Sequence, residues 1–182
     1  EDKLEVIKRN IRRASVIIDN LLQFSRHSVY EKEKVNVEQL VETTLSLFKK
    51  EISTRNIQLE FQYHKVPRVF FSIDSLKQVF LNIIMNAVQA MSGGATSLSP
   101  DRRWVSIKFS DTGVGIPEEN MKYIFTPFFT TKGESGGTGL GLYLSYSIIK
   151  KEGGDISVQS SEGHGTVFSI KLPVAKAGDI PQ

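Results

Sequence analysis

The chain of 182 residues has 40% hydrophobic residues, a formal net charge of +3 and no cysteine. This length and hydrophobic content predict one packed domain with a small appendage and argue against a disordered chain. The lysines and arginines are scattered among acidic residues, so no basic stripe indicates nucleic acid as a partner. The absence of cysteine excludes disulfide bonds and thiolate metal sites.

No apolar run approaches the roughly 20 residues that a membrane-spanning helix requires, and no signal peptide is visible. We therefore expect no membrane contact in this chain and a cytoplasmic location. The sequence begins at Glu1 without a methionine and already in a helical pattern. We expect it to be a fragment of a longer protein, in which a sensor or membrane segment could lie upstream.

Residues 1–30 repeat apolar residues at helical spacing and predict one long helix. Ile17, Leu22 and Phe24 widen the apolar stripe to one that is typical of a helix bundle. The helix needs a partner helix or a second copy of the chain to cover this stripe; packing on its own domain is the alternative. The heptad seam of the stripe consists of Leu4, Ile7, Ile11, Ala14, Ile18 and Leu21.

From residue 35 onward, short apolar runs alternate with amphipathic helical patterns. Residues 93–103 are polar and interrupted, so they are predicted to be a loop, as are the glycine-rich residues 133–141; the tail after Pro173 is predicted to be frayed. The predicted strands are residues 35–37, 57–63, 69–73, 105–109, 156–160 and 166–172. The predicted helices are residues 38–53, 75–91 with Asp74 as N-cap, 116–123 with Pro117 near the start, and 142–151.

This pattern predicts the α+β class. We expect a two-layer α/β sandwich, in which one sheet carries helices on one face, preceded by one long bundle helix.

Asn82 and Asn86 lie four residues apart in the predicted helix 75–91 and share one face, while Val79 and Ile83 face the core. An asparagine amide oxygen is a hard, neutral ligand that suits Mg²⁺, with phosphate oxygens and water in the other positions. Amide side chains on a mostly apolar helix are costly unless they find partners. Capping of nearby loops is the alternative role for both asparagines.

Asp111 follows the predicted strand 105–109 and is followed by two alternate glycines, Gly113 and Gly115. Such glycines allow the backbone to approach a flat ligand closely. The Asp111 carboxylate can accept a hydrogen bond from an exocyclic amine such as that of adenine. A plain Asp-Gly turn is the alternative.

Two further glycine-rich segments complete the set. Residues 136–142 run into the predicted helix 142–151, so that backbone N–H groups and a helix N-terminus can hold phosphates. No Gly-Lys-Ser/Thr follows at the Walker spacing, and Leu142 stands where the dinucleotide fingerprint requires a third glycine. Residues 163–166 form a tight hairpin turn, for which simple turn chemistry is the alternative.

In order and content, these segments resemble the Bergerat-type ATP-binding fold of the GHKL superfamily, and within it the sensor histidine kinases of two-component signalling. The resemblance implies a catalytic ATP-binding domain over residues 35–173 and a tail over residues 174–182. Residues 1–30 resemble the second helix of the family's dimerisation and phosphotransfer bundle. Residues 78–87 are similar to the family's N box, 111–116 to its first glycine box, 124–132 to its F box, 137–142 to its second glycine box and 163–166 to its closing loop.

The resemblance implies ATP and Mg²⁺ as cofactors. Asn86 would ligate Mg²⁺ with Asn82 beside it, Asp111 would bind the adenine amine, and Lys132 would reach a phosphate, so Asn82, Asn86 and Lys132 are the catalytic candidates. A solvated loop position is the alternative for Lys132. The implied cofactor-binding residues are Asn86, Ala90, Asp111, Gly113, Gly115, Ile116, Thr130, Lys132, Gly137, Thr138, Gly139, Leu140, Gly141, Leu142 and Thr166.

The aromatic residues of the segment similar to the F box are Phe125, Phe128 and Phe129. The resemblance implies that they pack a mobile ATP lid against the site. Ordinary core packing is the alternative.

Asn82 discriminates among members of the superfamily. Gyrase-, mismatch-repair- and chaperone-type ATPases carry at this position a glutamate that activates water, and serine kinases of the same fold tend to carry it too. An amide cannot accept a proton near neutral pH, so Asn82 favours a histidine kinase, whose nucleophile is an imidazole. An ATPase or serine kinase of the superfamily, or a degenerate module that only binds nucleotide or dimerises, is the alternative.

The family's phosphoacceptor helix, with a His followed by an acid and later a Pro, is not found in this sequence. His27, His64 and His164 stand in other contexts. The resemblance therefore implies transfer of the ATP γ-phosphate to a histidine outside this chain, and then to an aspartate of a response-regulator receiver domain. It also implies a homodimer through residues 1–30 in the full-length protein.

Overall fold

The computed structural model of the chain contains both helices and strands. The helices are α1 Val37–Ser46, α2 Lys49–Thr54, α3 Ile73–Ala90, α4 Glu118–Met121 and α5 Gly141–Lys151. The strands are β1 Glu33–Val35, β2 Gln58–Tyr63, β3 Val69–Phe71, β4 Gly93–Pro100, β5 Trp104–Asp111, β6 Asp155–Ser160 and β7 Thr166–Pro173. The structure describes residues 3–5, 7–8, 11, 14–15, 18, 31–90, 93–100, 103–132, 137–176 and 178–179.

The main sheet of the described residues has five strands in the order β2-β4-β5-β7-β6, and β1 pairs with β3 in a separate two-stranded sheet. β5 lies at the centre, antiparallel to both β4 and β7, while β2 runs parallel to β4. The register pairs Asp111 at the end of β5 with Thr166 at the start of β7. This pairing brings two of the predicted site segments together where β5 ends and β7 begins.

One face of the main sheet packs against the helices, which confirms the predicted two-layer α+β sandwich. β5 alternates as a half-buried strand does, with Val105, Ile107 and Phe109 buried. α3 contacts β5, α1 and α5. Phe80 of α3 is fully buried, and its ring centroid lies 5.5 Å from that of Phe109. α3 is therefore the central helix of the core.

The prediction of a loop over residues 93–103 is wrong for residues 93–100, which form β4. β4 lies between β2 and β5 and is hydrogen-bonded to both. Its Thr96 and Leu98 are buried. Cross-strand pairing on both sides and burial on one face outweigh the low strand propensity of glycine, serine and proline.

Most predicted helix boundaries shift by one or two residues, and two differences have a clear cause in the structure. The predicted helix 38–53 is divided into α1 and α2 by a turn at Leu47 and Phe48, because Phe48 turns into the core and is 5% exposed. Asp74 is not the N-cap of α3 but lies in its first turn. The Ser72 hydroxyl oxygen instead accepts a hydrogen bond from the backbone N–H of Ser75 at 3.2 Å.

The prediction that the chain frays after Pro173 is wrong for the next two residues. Val174 forms a bridge with Val69 of β3, and its N–H donates to the Arg103 carbonyl oxygen at 3.0 Å. The Ala175 N–H donates to the Arg68 carbonyl oxygen at 2.9 Å. These bonds continue the hydrogen-bonded chain beyond the end of β7.

The described positions among residues 3–18 are helical and exposed. The seam residues Leu4, Ile7, Ile11 and Ile18 are 54–64% exposed, and Ala14 is exposed too, whereas Leu21 lies outside the described residues. At these described positions the apolar row is therefore exposed to solvent. No described helix is long and apolar enough to span a membrane.

We predict that Leu98→Ala lowers the free energy of unfolding by about 2–5 kcal/mol, because Leu98 of β4 is fully buried and its truncation leaves a cavity. The neighbouring Ser99→Ala, at an exposed position of the same strand, should change it by less than about 0.5 kcal/mol. Denaturant unfolding of both variants measures the difference. Equal and small effects would contradict the placement of β4 in the sheet.

Candidate functional site

A cavity of about 650 Å³ lies where the end of β5 meets α3 and the start of α5. The structure brings fourteen of the sixteen predicted site residues to its wall; Gly113 and Leu140 are not among the lining residues. The predicted residues that line the cavity are Asn82, Asn86, Ala90, Asp111, Gly115, Ile116, Thr130, Lys132, Gly137, Thr138, Gly139, Gly141, Leu142 and Thr166.

Asp111 lies at the end of β5 and is 6% exposed. Its Oδ1 accepts hydrogen bonds from the backbone N–H of Gly113 at 3.0 Å and of Thr166 at 3.2 Å. Burial raises the pKa of Asp111 above its ordinary value, and the two backbone N–H groups partly oppose this shift. Oδ2 receives no bond from the described residues, so it remains an acceptor at the cavity wall.

The loop after β5 and the turn between β6 and β7 are packed against each other. A Cβ at Gly115 would lie 2.0 Å from the Ser161 carbonyl oxygen, and one at Gly165 would lie 2.0 Å from that of Asp111. Both glycines have a positive φ. The Ser160 hydroxyl accepts from the Ile116 N–H and donates to the Gly165 carbonyl oxygen, each at 2.8 Å. The turn therefore supports the loop that follows Asp111, beyond its role in connecting two strands.

The polar face of α3 carries Asn82, Asn86 and Gln89 at helical spacing. Lys132 Nζ donates to Asn86 Oδ1 at 3.0 Å and also to Gln89 Oε1. Burial lowers the pKa of Lys132 below its ordinary value. The Asn86 amide oxygen thus accepts a bond from a cationic group in this structure. Asn82 instead donates to α5, through Nδ2 to the Gly141 carbonyl oxygen at 3.1 Å.

The glycine-rich segment before α5 approaches the segment that contains the predicted lid aromatics. Gly139 has φ +70°, and a Cβ there would lie 2.3 Å from the Phe128 carbonyl carbon. The Leu140 N–H donates to Thr138 Oγ1 at 3.4 Å, and α5 begins at the next residue. The first N–H groups of a helix lack intrahelical acceptors. Because Gly141 and Leu142 line the cavity, the start of α5 can donate hydrogen bonds to a ligand there. Residues 133–136 lie outside the described residues.

The three aromatic residues of the predicted lid have different environments. Phe129 lines the cavity, as expected. Phe125 packs on Tyr146, with ring centroids 5.1 Å apart, and on the hydrophobic core, which favours the alternative of core packing. Phe128 is 60% exposed with φ +67° and does not line the cavity, so the prediction that it packs on the site is wrong in this structure.

Several lining residues escape the sequence analysis. Gln89 could have been found, because it follows Asn86 by three residues on the same helix face. The apolar residues could not, because an apolar pattern does not show which side chains border a cavity. These residues are Met85, Val114, Pro117, Ile124 and Phe168.

Comparisons with known proteins place this site in a family. The family model described as "Histidine kinase-, DNA gyrase B-, and HSP90-like ATPase" matches residues 72–176, which include every predicted site residue. Sporulation kinase E of Bacillus subtilis is 36% identical over 174 residues, which cover 93% of this chain and 23% of that protein. Sensor histidine kinase ZraS of Escherichia coli is 34% identical over 182 residues, which cover 98% of this chain and 39% of that protein.

The chain therefore spans less than half the length of these curated relatives. Among solved structures, the nucleotide-free catalytic domain of histidine kinase ThkA is 32% identical with a TM-score of 0.71. The alignment covers 79% of this chain and 95% of that domain. Because the family model matches more than half of the sequence and an almost complete catalytic domain shares its fold, the chain belongs to the histidine kinase-, DNA gyrase B- and HSP90-like ATPase family.

Proposed function

We propose that this chain is the catalytic ATP-binding portion of a sensor histidine kinase and transfers the γ-phosphate of ATP to a histidine outside the chain. The observation that carries this proposal is the Asp111 carboxylate, held by two backbone N–H groups through one oxygen at a cavity of nucleotide size. The relatives support the choice within the family, since both Sporulation kinase E and ZraS are named as kinases.

The adenine base is assigned to the end of the cavity at Asp111. Oδ1 is already engaged by the N–H groups of Gly113 and Thr166, which leaves Oδ2 to accept from the exocyclic amine of adenine. The surrounding wall is apolar at Ile116 and Phe168, as a flat aromatic base requires. A base with a carbonyl oxygen in place of the amine would face the carboxylate with a second acceptor.

The phosphates are assigned to the part of the wall that is formed by Lys132 and by lining residues of the segment from Gly137 to Leu142. The start of α5 supplies backbone N–H groups that have no acceptor within the helix, together with the positive end of the helix dipole. The Lys132 ammonium reaches the same wall through its bond to Asn86. These groups favour an anionic ligand and can stabilise the negative charge of the transferred phosphoryl group.

Mg²⁺ fits the side chains of this wall. The Asn86 amide oxygen lies at the cavity wall as an acceptor, and the Lys132 ammonium that now bonds to it at 3.0 Å would bond to a phosphate oxygen when Asn86 holds Mg²⁺. The described residues contain no cluster of three or more His, Asp or Glu side chains that could hold a metal alone. Asn86 would therefore hold Mg²⁺ together with phosphate oxygens and water, which is the usual mode for this ion. When bound, Mg²⁺ neutralises phosphate charge.

Phosphotransfer to a side chain is favoured over hydrolysis by the chemistry at position 82. Asn82 is an amide whose nitrogen donates to the Gly141 carbonyl oxygen and the Ser145 hydroxyl. It cannot remove a proton from water. An imidazole nucleophile needs no such base, so a histidine is the acceptor that the site suits.

The acceptor and the other partners lie outside the chain in this proposal. His64 and His164 contact the backbone carbonyl oxygens of Leu98 and Glu162, and His27 lies outside the described residues. The segment of residues 1–30, whose described apolar positions are exposed, would pair with a second copy in the full-length protein, and residues 35–173 would form the catalytic domain. An aspartate of a response-regulator receiver domain would take the phosphoryl group from the histidine.

The Asp111 carboxylate destabilises the unliganded chain at neutral pH. Because burial raises its native pKa above the unfolded value near 3.8, the native state binds the proton more tightly than the unfolded state. The contribution of Asp111 to stability is therefore greatest below that value and is lost as the pH rises through the native pKa. A ligand that donates to the carboxylate offsets this loss.

We predict that Asp111→Asn raises the free energy of unfolding of the unliganded chain at pH 7, because the amide oxygen keeps both backbone bonds without a buried charge. The gain should shrink as the pH falls toward 3.8. Denaturant unfolding between pH 4 and 7.5 measures it, with Asp74→Asn at an exposed position as the control. A less stable variant at pH 7 would contradict the assigned cost of the carboxylate.

We predict that Asp111→Asn weakens the binding of a non-hydrolysable ATP analogue by about 10- to 100-fold. The group that faces the adenine amine changes from an ionised acceptor to a donor. Calorimetric titration with and without Mg²⁺ measures this. The matching inosine analogue, with a carbonyl oxygen in place of the amine, should bind the variant better than the parent. Equal loss for both bases would place the purine edge elsewhere.

We predict that the chain alone binds Mg²⁺-ATP, does not accumulate phosphohistidine and does not release inorganic phosphate above the uncatalysed rate. Acid-labile phosphate on the protein and phosphate release are the two measurements. Phosphohistidine on the chain would contradict the proposal that the acceptor histidine lies outside it. Steady phosphate release would indicate an ATPase, and an absence of nucleotide binding would indicate a degenerate module.

A further inference from the structure

Three polar groups connect α3 to the first turn of α5. Asn82 Nδ2 donates to the Gly141 carbonyl oxygen at 3.1 Å and to Ser145 Oγ at 3.3 Å. Ser145 Oγ donates in turn to the same Gly141 carbonyl oxygen at 2.9 Å. The contacts join residues 59 and 63 positions apart in the sequence. They close a triangle at the residue where the phosphate wall becomes a helix.

The chemistry of the triangle requires an amide at position 82. A carbonyl oxygen can only accept, so the Asn82 group that faces Gly141 must be the NH₂. The Ser145 hydrogen is used for the Gly141 carbonyl oxygen, so the Ser145 oxygen accepts from the Asn82 NH₂ group. Ser145 is fully buried, which makes an unpaired partner costly. A carboxylate at position 82 has no hydrogen to offer to either group at neutral pH.

The triangle lies in close contact with the backbone that is assigned to the phosphates. A Cβ placed at Gly141 would lie 3.4 Å from Asn82 Cγ and Oδ1, so the amide lies directly on the first residue of α5. The turn that begins there includes the bond from the Leu144 N–H to the Leu140 carbonyl oxygen at 2.9 Å. Holding Gly141 therefore determines the direction in which the first N–H groups of α5 point.

We propose that Asn82 and Ser145 are positioning residues that orient the phosphate-binding start of α5 through the Gly141 carbonyl oxygen. This inference rests on the proposed nucleotide site and gives Asn82 a role through hydrogen-bond donation instead of metal ligation. The two roles differ in what they require at position 82. A metal ligand needs an oxygen, which aspartate also provides, whereas the triangle needs a donor, which aspartate lacks.

The test measures the affinity of adenosine and of a non-hydrolysable ATP analogue, each with and without Mg²⁺, for the parent chain, Asn82→Asp and Ser145→Ala. We expect the affinity of both variants for the ATP analogue to fall about 10-fold, with and without Mg²⁺, while their affinity for adenosine changes less than about twofold. The double variant should lose little more than either single one, because both changes break the same triangle. Ser147→Ala, two residues further along α5, serves as the matched control and should bind as the parent does.

Three outcomes overturn the proposal. An Asn82→Asp effect that appears only with Mg²⁺ would make Asn82 a metal ligand. An equal loss of affinity for adenosine would indicate a general structural defect. Unchanged affinity of Ser145→Ala for the ATP analogue would show that the triangle does not position the phosphate-binding backbone.

Hydrogen exchange on the unliganded chain separates this inference from the proposed function. If the triangle holds α5, exchange at the Leu144 amide should accelerate about 10-fold in both variants, while the Gly153 and Gly154 amides at the other end of the helix exchange as in the parent. Unchanged exchange at Leu144 overturns the triangle even if ATP binds. Failure of the parent to bind any nucleotide overturns the proposed function, and the exchange result alone then decides whether the triangle positions α5.

Discussion

The site depends on one buried carboxylate at the end of the central strand. Asp111 pairs in register with Thr166 across the sheet, so its Oδ1 can bind the N–H groups of Thr166 and of Gly113 together. This arrangement requires the loop after β5 and the turn before β7 to lie in contact, which Gly115 and Gly165 allow. Two segments more than 50 residues apart in the sequence thereby share one acceptor group, and the orientation of this carboxylate at the cavity wall is set by the backbone alone.

Much of the fold could be predicted from local pattern. β5 and β7 alternate clearly, and α3 carries an apolar face with amides on its other side, so the two-layer architecture follows from periodicity. β4 could not be predicted, because its strand conformation depends on hydrogen bonds to β2 and β5 and its own residues favour turns. The N-cap of α3 is a similar case, since Ser72 and Asp74 are both capable and only the geometry selects Ser72.

The candidate site could be predicted where one residue type and its neighbours suffice. Asp111, Asn86 and the glycines carry their chemistry in short segments, and the structure gathers them around one cavity. The partners of the amides could not be predicted, because Lys132 and Ser145 lie far from α3 in the sequence. The sequence predicts only that Asn82 and Asn86 share one helix face. In the structure, Asn86 accepts a bond from the cationic Lys132, whereas Asn82 donates to two acceptors on α5.

The small two-stranded sheet has a mechanical consequence. The chain enters the domain at β1, which pairs with β3, and it leaves β7 at Val174, which bridges to Val69 of the same β3. The two ends of the domain are thus attached to one three-residue strand. A pull or twist that reaches the domain at β1 acts on the pairing of β1 with β3, and β3 continues through Ser72 into α3, the helix that carries Asn82 and Asn86. The strand that holds both ends of the domain is therefore also the one that leads directly into the helix with the polar face.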